Sequence, residues 1–128
     1  MADMNRDRPL SPFMIGPYYR PQMTSMTSII NRITGSGLAV GALLVVWWLV
    51  AAASGPDYFA SIDWLITSFI GDLVMFLSVW ALWWHTLGGI RHLIWDAGYC
   101  LDVETSEKLG YCIIGGSILL TLLTVIIV

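Results

Sequence analysis

Three stretches of this chain are too long and too apolar to be strands or the faces of soluble helices. They run from about Ile33 to Ala53, from about Ile66 to Arg91 and from about Leu109 to Val128. About 20 predominantly apolar residues cross the hydrocarbon core of a bilayer as a helix, and only helices and closed barrels satisfy their own backbone there. Only 12% of the residues are charged, too few to cover the surface of a soluble domain of this length. The chain therefore reads as an all-α membrane protein of three transmembrane helices, forming one domain over residues 22–128.

Residues 1–21 precede that domain as a polar, proline-rich arm. It contains Arg8-Pro9-Leu10-Ser11-Pro12 and Gly16-Pro17-Tyr18-Tyr19-Arg20-Pro21, with tyrosines suited to a membrane interface. Asp3, Arg6, Asp7 and Arg8 interrupt it and no continuous apolar stretch follows, so it does not read as a signal peptide and insertion falls to the spans themselves. Pro21 suits a helix start, with Thr24 or Ser25 as a cap. The second helix is predicted to begin near Ser61 and to continue to about Ile94, with Asp72 inside it. That length requires tilt or projection from the bilayer. An isolated carboxylate at Asp72 is compatible with protonation or a partner chain; an interfacial position fits it best.

Orientation follows from the basic residues. Arg6, Arg8, Arg20 and Arg32 precede or open the first span, and Arg91 and Lys108 bracket the loop between the second and third; the loop from Ser54 to Asp63 has neither Lys nor Arg. All six basic residues thus fall on one side, which the positive-inside rule makes the cytoplasmic or matrix side. The N-terminus is expected inside and the C-terminus outside. No basic patch points to nucleic acid. Cys100 and Cys112 fit no metal spacing, and a disulfide is not expected near a reducing compartment. Gly37 and Gly41 form a G-x-x-x-G pair beside Gly35 and Ser36, and Gly115, Gly116 and Ser117 mark the third span. Small residues of this kind allow close helix approach and suggest a larger helical assembly, although packing within one bundle also uses them.

The same inner side collects the polar groups that lie within the spans: Ser28 and Arg32 on the first, and His85, Arg91, His92 and Asp96 on the second. Ionisable groups inside membranes usually carry function. His85 stands in the aromatic run Trp80-Ala81-Leu82-Trp83-Trp84. A neutral imidazole there requires a hydrogen-bond partner or a metal. Ala81 and Gly89, one turn either side, are small enough for a broad, flat ligand, but a histidine that simply bonds a neighbouring helix fits the pattern as well. His92 lies seven residues on, about 10 Å along the axis, so the two cannot bind one iron from opposite sides. A second axial ligand would come from another chain. His92 suits a propionate, a carboxylate or the bare interface. Ser28 and Arg32, spaced i,i+4, share a face and suit a polar head group or a propionate, while Arg32 alone also suits lipid phosphates.

Three motifs resemble one family. Arg8-Pro-Leu-Ser-Pro12 resembles the R-P-x-S-P opening of the cytochrome b subunit of succinate dehydrogenase, complex II. Ser28-Ile-Ile-Asn-Arg-Ile-Thr-Gly35 resembles its S-x-x-H-R-x-S/T-G motif. His85-Thr-Leu-Gly-Gly-Ile-Arg-His-Leu-Ile-Trp-Asp96 resembles its H-x-x-x-G-x-R-H-x-x-x-D motif. They occur in order and span nearly the whole chain. The resemblance implies an anchor in the bacterial or mitochondrial inner membrane that binds haem b and ubiquinone together with a second small anchor subunit, with a flavoprotein and an iron–sulfur protein docked on the inner face. It implies that His85 is an axial haem ligand, that the other axial ligand comes from the partner subunit, and that Ser28 and Arg32 belong to the quinone site. Arg32, with His92, is expected near the propionates. Asn31 departs from the family pattern, which has histidine there; an amide keeps a hydrogen bond but carries no positive charge. The chain has no flavin or iron–sulfur motif and no catalytic residue of its own, so it is not expected to be catalytic alone. The rival readings are a haem-free, quinone-reactive anchor and a small transporter or channel subunit. The transporter reading would place polar residues at the midplane or show an inverted repeat, neither of which the sequence has.

Overall fold

The computed structural model describes residues 19–128; the Arg8–Pro12 motif and the rest of the arm up to residue 18 lie outside the described residues. Four helices follow in order: α1 (Met23–Ser54), α2 (Pro56–Ile66), α3 (Phe69–Asp96) and α4 (Val103–Ile127). The helices α1, α3 and α4 are long and apolar enough to cross a membrane. At 1.5 Å per residue, the 32 residues of α1 extend well beyond a hydrocarbon core of about 30 Å, so its polar first turns project from it. Ser25 steadies that end: its hydroxyl accepts from the Gln22 N–H and donates to the Gln22 carbonyl, at 3.1 and 2.9 Å.

The single helix expected from Ser61 to Ile94 is in fact two. Gly55, with φ of 138°, turns the chain out of α1 in a conformation that only glycine adopts freely, and Pro56 opens α2 at a position where its missing N–H costs nothing. The helix α2 ends at Thr67, whose N–H bonds the Asp63 carbonyl. Ser68 then caps α3 by accepting from the Gly71 N–H at 3.2 Å. Gly71 is required by a close approach: a Cβ there would stand 2.7 Å from the Leu65 carbonyl oxygen and closer still to that of Ile66. Asp72 is consequently exposed in the first turn of α3 rather than in the middle of a longer helix, where a carboxylate faces the favourable end of the helix dipole. Two tryptophans hold α2 back against α1. Trp47 Nε1 donates to the Tyr58 hydroxyl at 2.7 Å and Trp48 Nε1 to Asp63 Oδ1 at 3.1 Å, an aromatic collar of the type found at membrane interfaces.

The helices α1 and α3 pack antiparallel in one continuous register: Thr27 meets Arg91, Asn31 meets Gly88, Gly35 meets His85 and Gly41 meets Ser78. On the other side of α3, Gly116 of α4 faces Leu87, and Trp83 Nε1 donates to the Thr124 hydroxyl at 2.9 Å. The interior is more polar than the exterior. Thr27, Thr34, Arg91, Ser106, Ser117 and Thr121 are buried, whereas Phe69 is 84% exposed and Trp64 74%. That inversion suits lipid, where burying apolar surface gains little and close packing of small residues drives association. Apart from Ser106, the buried hydroxyls bond carbonyls of their own helices, as Thr121 does to the Ser117 carbonyl at 2.7 Å. The G-x-x-x-G pair is divided: Gly41 packs against Ser78, while Gly37, like Gly115, faces open space.

The α3–α4 turn passes through Gly98 and Cys100 at positive φ. The Cys100 carbonyl accepts from both Trp95 Nε1 and the Ser106 hydroxyl, each at 3.1 Å, which holds a side chain in a region that non-glycine residues seldom occupy. Both cysteines are free thiols. Asp102 caps α4, and hydrogen bonds from the Thr105 hydroxyl and amide keep its carboxyl below the usual carboxylate range.

Candidate functional site

His85 sits in the contact between α1 and α3. Glycine at position 35 makes this possible, because a Cβ there would lie 2.9 Å from His85 Cε1. The imidazole Nδ1 is 3.0 Å from the Asn31 backbone carbonyl. A carbonyl oxygen can only accept, so Nδ1 carries the proton and Nε2 keeps its lone pair. Nε2 has no hydrogen-bond partner among the described residues and is not enclosed by them. A half-buried imidazole with one nitrogen tied to a carbonyl and the other free is oriented as metal-bound histidines are. Gly89, one turn on, has nothing within 4 Å of the position a Cβ would take, whereas Ala81, one turn back, is buried in the bundle. Of the two small positions expected to seat a flat ligand, only Gly89 is open to one.

These residues fit a haem held by one axial imidazole. His92 is exposed, and its ring stands edge-on to Trp95 at 5.3 Å and 82°. It lies about 10 Å along α3 from His85 and does not converge with it. Among the described residues no three His, Cys, Asp or Glu side chains gather to hold a metal ion.

Ser28 and Arg32 lie on the strip of α1 that leads to His85. Gly35, which touches the imidazole, is three residues after Arg32 and seven after Ser28, so the three share a face, spaced by about 4.5 and 10.5 Å along the axis. Ser28 is half-buried and Arg32 exposed; neither side chain makes a hydrogen bond within the described residues. Asp96 is exposed at the end of α3. The polar cluster thus occupies one end of the bundle, and His85 and the strip carrying Ser28 and Arg32 meet on one side of it. The larger apolar grooves lie elsewhere. One of about 600 Å³ runs between α1, α2 and α3, lined by Leu44, Trp47, Trp64, Phe69 and Val74.

Three features escaped the sequence reading. Asn31 serves His85 through its main chain, while its side chain fills the space left by Gly88, where a Cβ would collide with the amide. Thr34 donates to that same Asn31 carbonyl at 3.0 Å. Arg91, placed by sequence in the polar cluster that closes the second span, is only 2% exposed. Its Nη1 donates to the Thr27 hydroxyl at 2.8 Å, its guanidinium lies over the Trp95 ring at 4.6 Å, and its Nε and Nη2 have no partner within the described residues. The available signal was Gly88, three positions before Arg91 on the same helix, which admits the Asn31 side chain of α1 and lets the two helices approach.

Comparison with known proteins gives the family of the chain. A family model described as the succinate dehydrogenase/fumarate reductase transmembrane subunit matches residues 4–124. The succinate dehydrogenase cytochrome b556 subunit of Paracoccus denitrificans is 47% identical over 128 residues, covering 99% of this chain and 97% of the relative. That of Rickettsia conorii is 35% identical, covering 91% and 89%. The cytochrome b560 subunit of Reclinomonas americana is also 35% identical, covering 99% and 90%. With its three apolar helices, the chain is a multi-pass inner-membrane protein. It belongs to the succinate dehydrogenase/fumarate reductase transmembrane subunit family.

Proposed function

We propose that this chain is the cytochrome b anchor of a succinate:quinone oxidoreductase, holding haem b through His85 and contributing Ser28 and Arg32 to the ubiquinone site. The observation that carries the reading is the His85 imidazole, fixed by its Nδ1–H on the Asn31 carbonyl with Nε2 left free. The names of the relatives, cytochrome b556 and b560, designate b-type cytochromes and support the same assignment. A bound haem b supplies a one-electron carrier beside the quinone. The chain's own part is to orient the His85 Nε2 nitrogen, to leave Gly89 clear beside it, and to bring hydrogen-bond donors near the propionates. Arg32 serves the propionates from α1 and His92 from α3.

A second small anchor subunit packed against this side of the bundle would supply the other haem ligand. The exposed face of α1 and α3 around His85 suits such a partner and the surrounding lipid. A flavoprotein and an iron–sulfur protein dock on the inner face, where the N-terminus, Arg32, Arg91 and Lys108 lie. Residues 22–128 form the membrane domain and residues 1–21 an arm on that inner side.

A quinone head group gains negative charge and protons as it is reduced. The Ser28 hydroxyl donates a hydrogen bond to one quinone oxygen, and the Arg32 guanidinium stabilises the charge that develops there. The test is Ser28→Ala in the assembled complex. An artificial dye that takes electrons upstream should be reduced at nearly the normal rate, and ubiquinone reduction should fall severely with haem content unchanged. If both rates fall together, Ser28 serves assembly; if neither falls, the quinone site lies elsewhere.

A further inference from the structure

The Asn31 carbonyl that orients His85 is shared. Besides the His85 Nδ1–H at 3.0 Å, it accepts the Thr34 hydroxyl at 3.0 Å, and the unbroken helix α1 brings the Gly35 N–H to it as well. A carbonyl oxygen offers two lone pairs, so three donors compete for it. A threonine or serine in a transmembrane helix commonly returns its hydroxyl to a carbonyl three or four residues back, and Ser36, Ser78 and Thr86 do so here. Among the described residues, the carbonyls those three use receive no side chain from another helix. Thr34 differs because its carbonyl is also the partner of the histidine, and because it is itself buried, at 4% exposure, with no water to take its proton instead.

We propose that Thr34 is a positioning residue that tunes His85: by drawing on the Asn31 carbonyl, its hydroxyl weakens the hydrogen bond from Nδ1–H and makes the imidazole a poorer electron donor at Nε2. The inference rests on the reading of His85 as a haem ligand. An acceptor on the far nitrogen raises the basicity of a ligating histidine, and hydrogen bonding around the ligand is one of the protein's levers on haem potential. A less basic imidazole favours the reduced iron, so Thr34 holds the potential up. The geometry also explains why threonine at 34 and glycine at 35 act together: the glycine admits the ring, and the threonine moderates the bond that the ring then makes.

The test is the haem midpoint potential of the assembled, membrane-bound complex carrying Thr34→Val, with Thr34→Ser as the conservative control. Valine keeps the shape and removes the hydroxyl without orphaning a polar group. The expected result is a fall of about 30–60 mV in Thr34→Val, a three- to tenfold change in the one-electron equilibrium at about 59 mV per decade, with Thr34→Ser within about 10 mV of the unaltered protein. Should Thr34→Val fail to assemble, Thr34→Ala is measured in its place with the same expectation. A normal b-type spectrum with an unmoved or raised potential, or an equal fall in Thr34→Ser, overturns the role of Thr34 alone. Absence of a b-type spectrum from the unaltered complex overturns the haem reading and this inference with it.

Discussion

Arg91 of α3 reaches across the bundle to Thr27 of α1, its Nη1 donating to the threonine hydroxyl at 2.8 Å while the residue is 2% exposed. A buried charge without partners is costly, and within the described residues this one has a single hydrogen bond and an aromatic face. Thr27→Val should therefore destabilise the bundle by about 1.5–3 kcal/mol, the range for a hydrogen bond to a charged group, shifted toward its low end because the unfolded chain in a membrane finds other partners. Thr27→Ser should restore most of it. Resistance of the detergent-solubilised complex to thermal dissociation measures both, and equal stability of the valine variant would show that the bond contributes nothing.

The two glycines that flank Ser36 should behave oppositely. Gly35→Ala places a methyl 2.9 Å from His85 Cε1, displacing the ring from the Asn31 carbonyl; a large loss of b-type absorbance is expected. Gly37 has nothing within 4 Å, so Gly37→Ala should leave the spectrum intact and favour the helix by up to about 1 kcal/mol. Spectra of the two purified variants side by side decide the matter, and equal effects would contradict the packing described above.

His85→Ala removes the only free, oriented imidazole nitrogen of the cluster. The b-type spectrum should be altered or lost, while His92→Ala and Asn31→Ala keep their haem, the latter because Asn31 serves His85 through its backbone carbonyl. An unchanged spectrum in His85→Ala would refute the ligand assignment.

Topology is checked by reporter fusions at Val128 and within Gly55 to Ala60. Both sites lie at the one end of the bundle that carries no Lys or Arg and should report from the outside. Activity of a cytoplasmic reporter at both places would reverse the orientation.

Much of this arrangement is legible in one dimension. Hydropathy over about 20 residues is a local property, so the apolar runs announce α1, α3 and α4 without reference to packing. The gathering of Ser28, Arg32, His85, Arg91 and His92 at one end follows once three spans must alternate in direction, and the motif spacings around Ser28 and His85 carry the family resemblance. The sequence also marks the outer break imperfectly: Gly55-Pro56 is plain, but the second break at Thr67-Ser68 is not, because Ser68 acts as a cap only when Gly71 lets α2 fold back upon the start of α3.

What tertiary structure alone decided is which face of each helix meets which. Gly37 and Gly41 are equivalent in sequence, yet only Gly41 packs, since the crossing of α1 and α3 turns one inward and the other out. Arg91 reads as one polar group among several until it is found buried against Thr27 of α1, because burial is a property of neighbours. The bond that orients His85 ends on a main-chain carbonyl, and every residue has one; no residue type at position 31 announces that this carbonyl is the partner, or that the Thr34 hydroxyl shares it. Helix register and crossing distance settle such contacts, and both arise from long-range packing that a linear pattern does not encode.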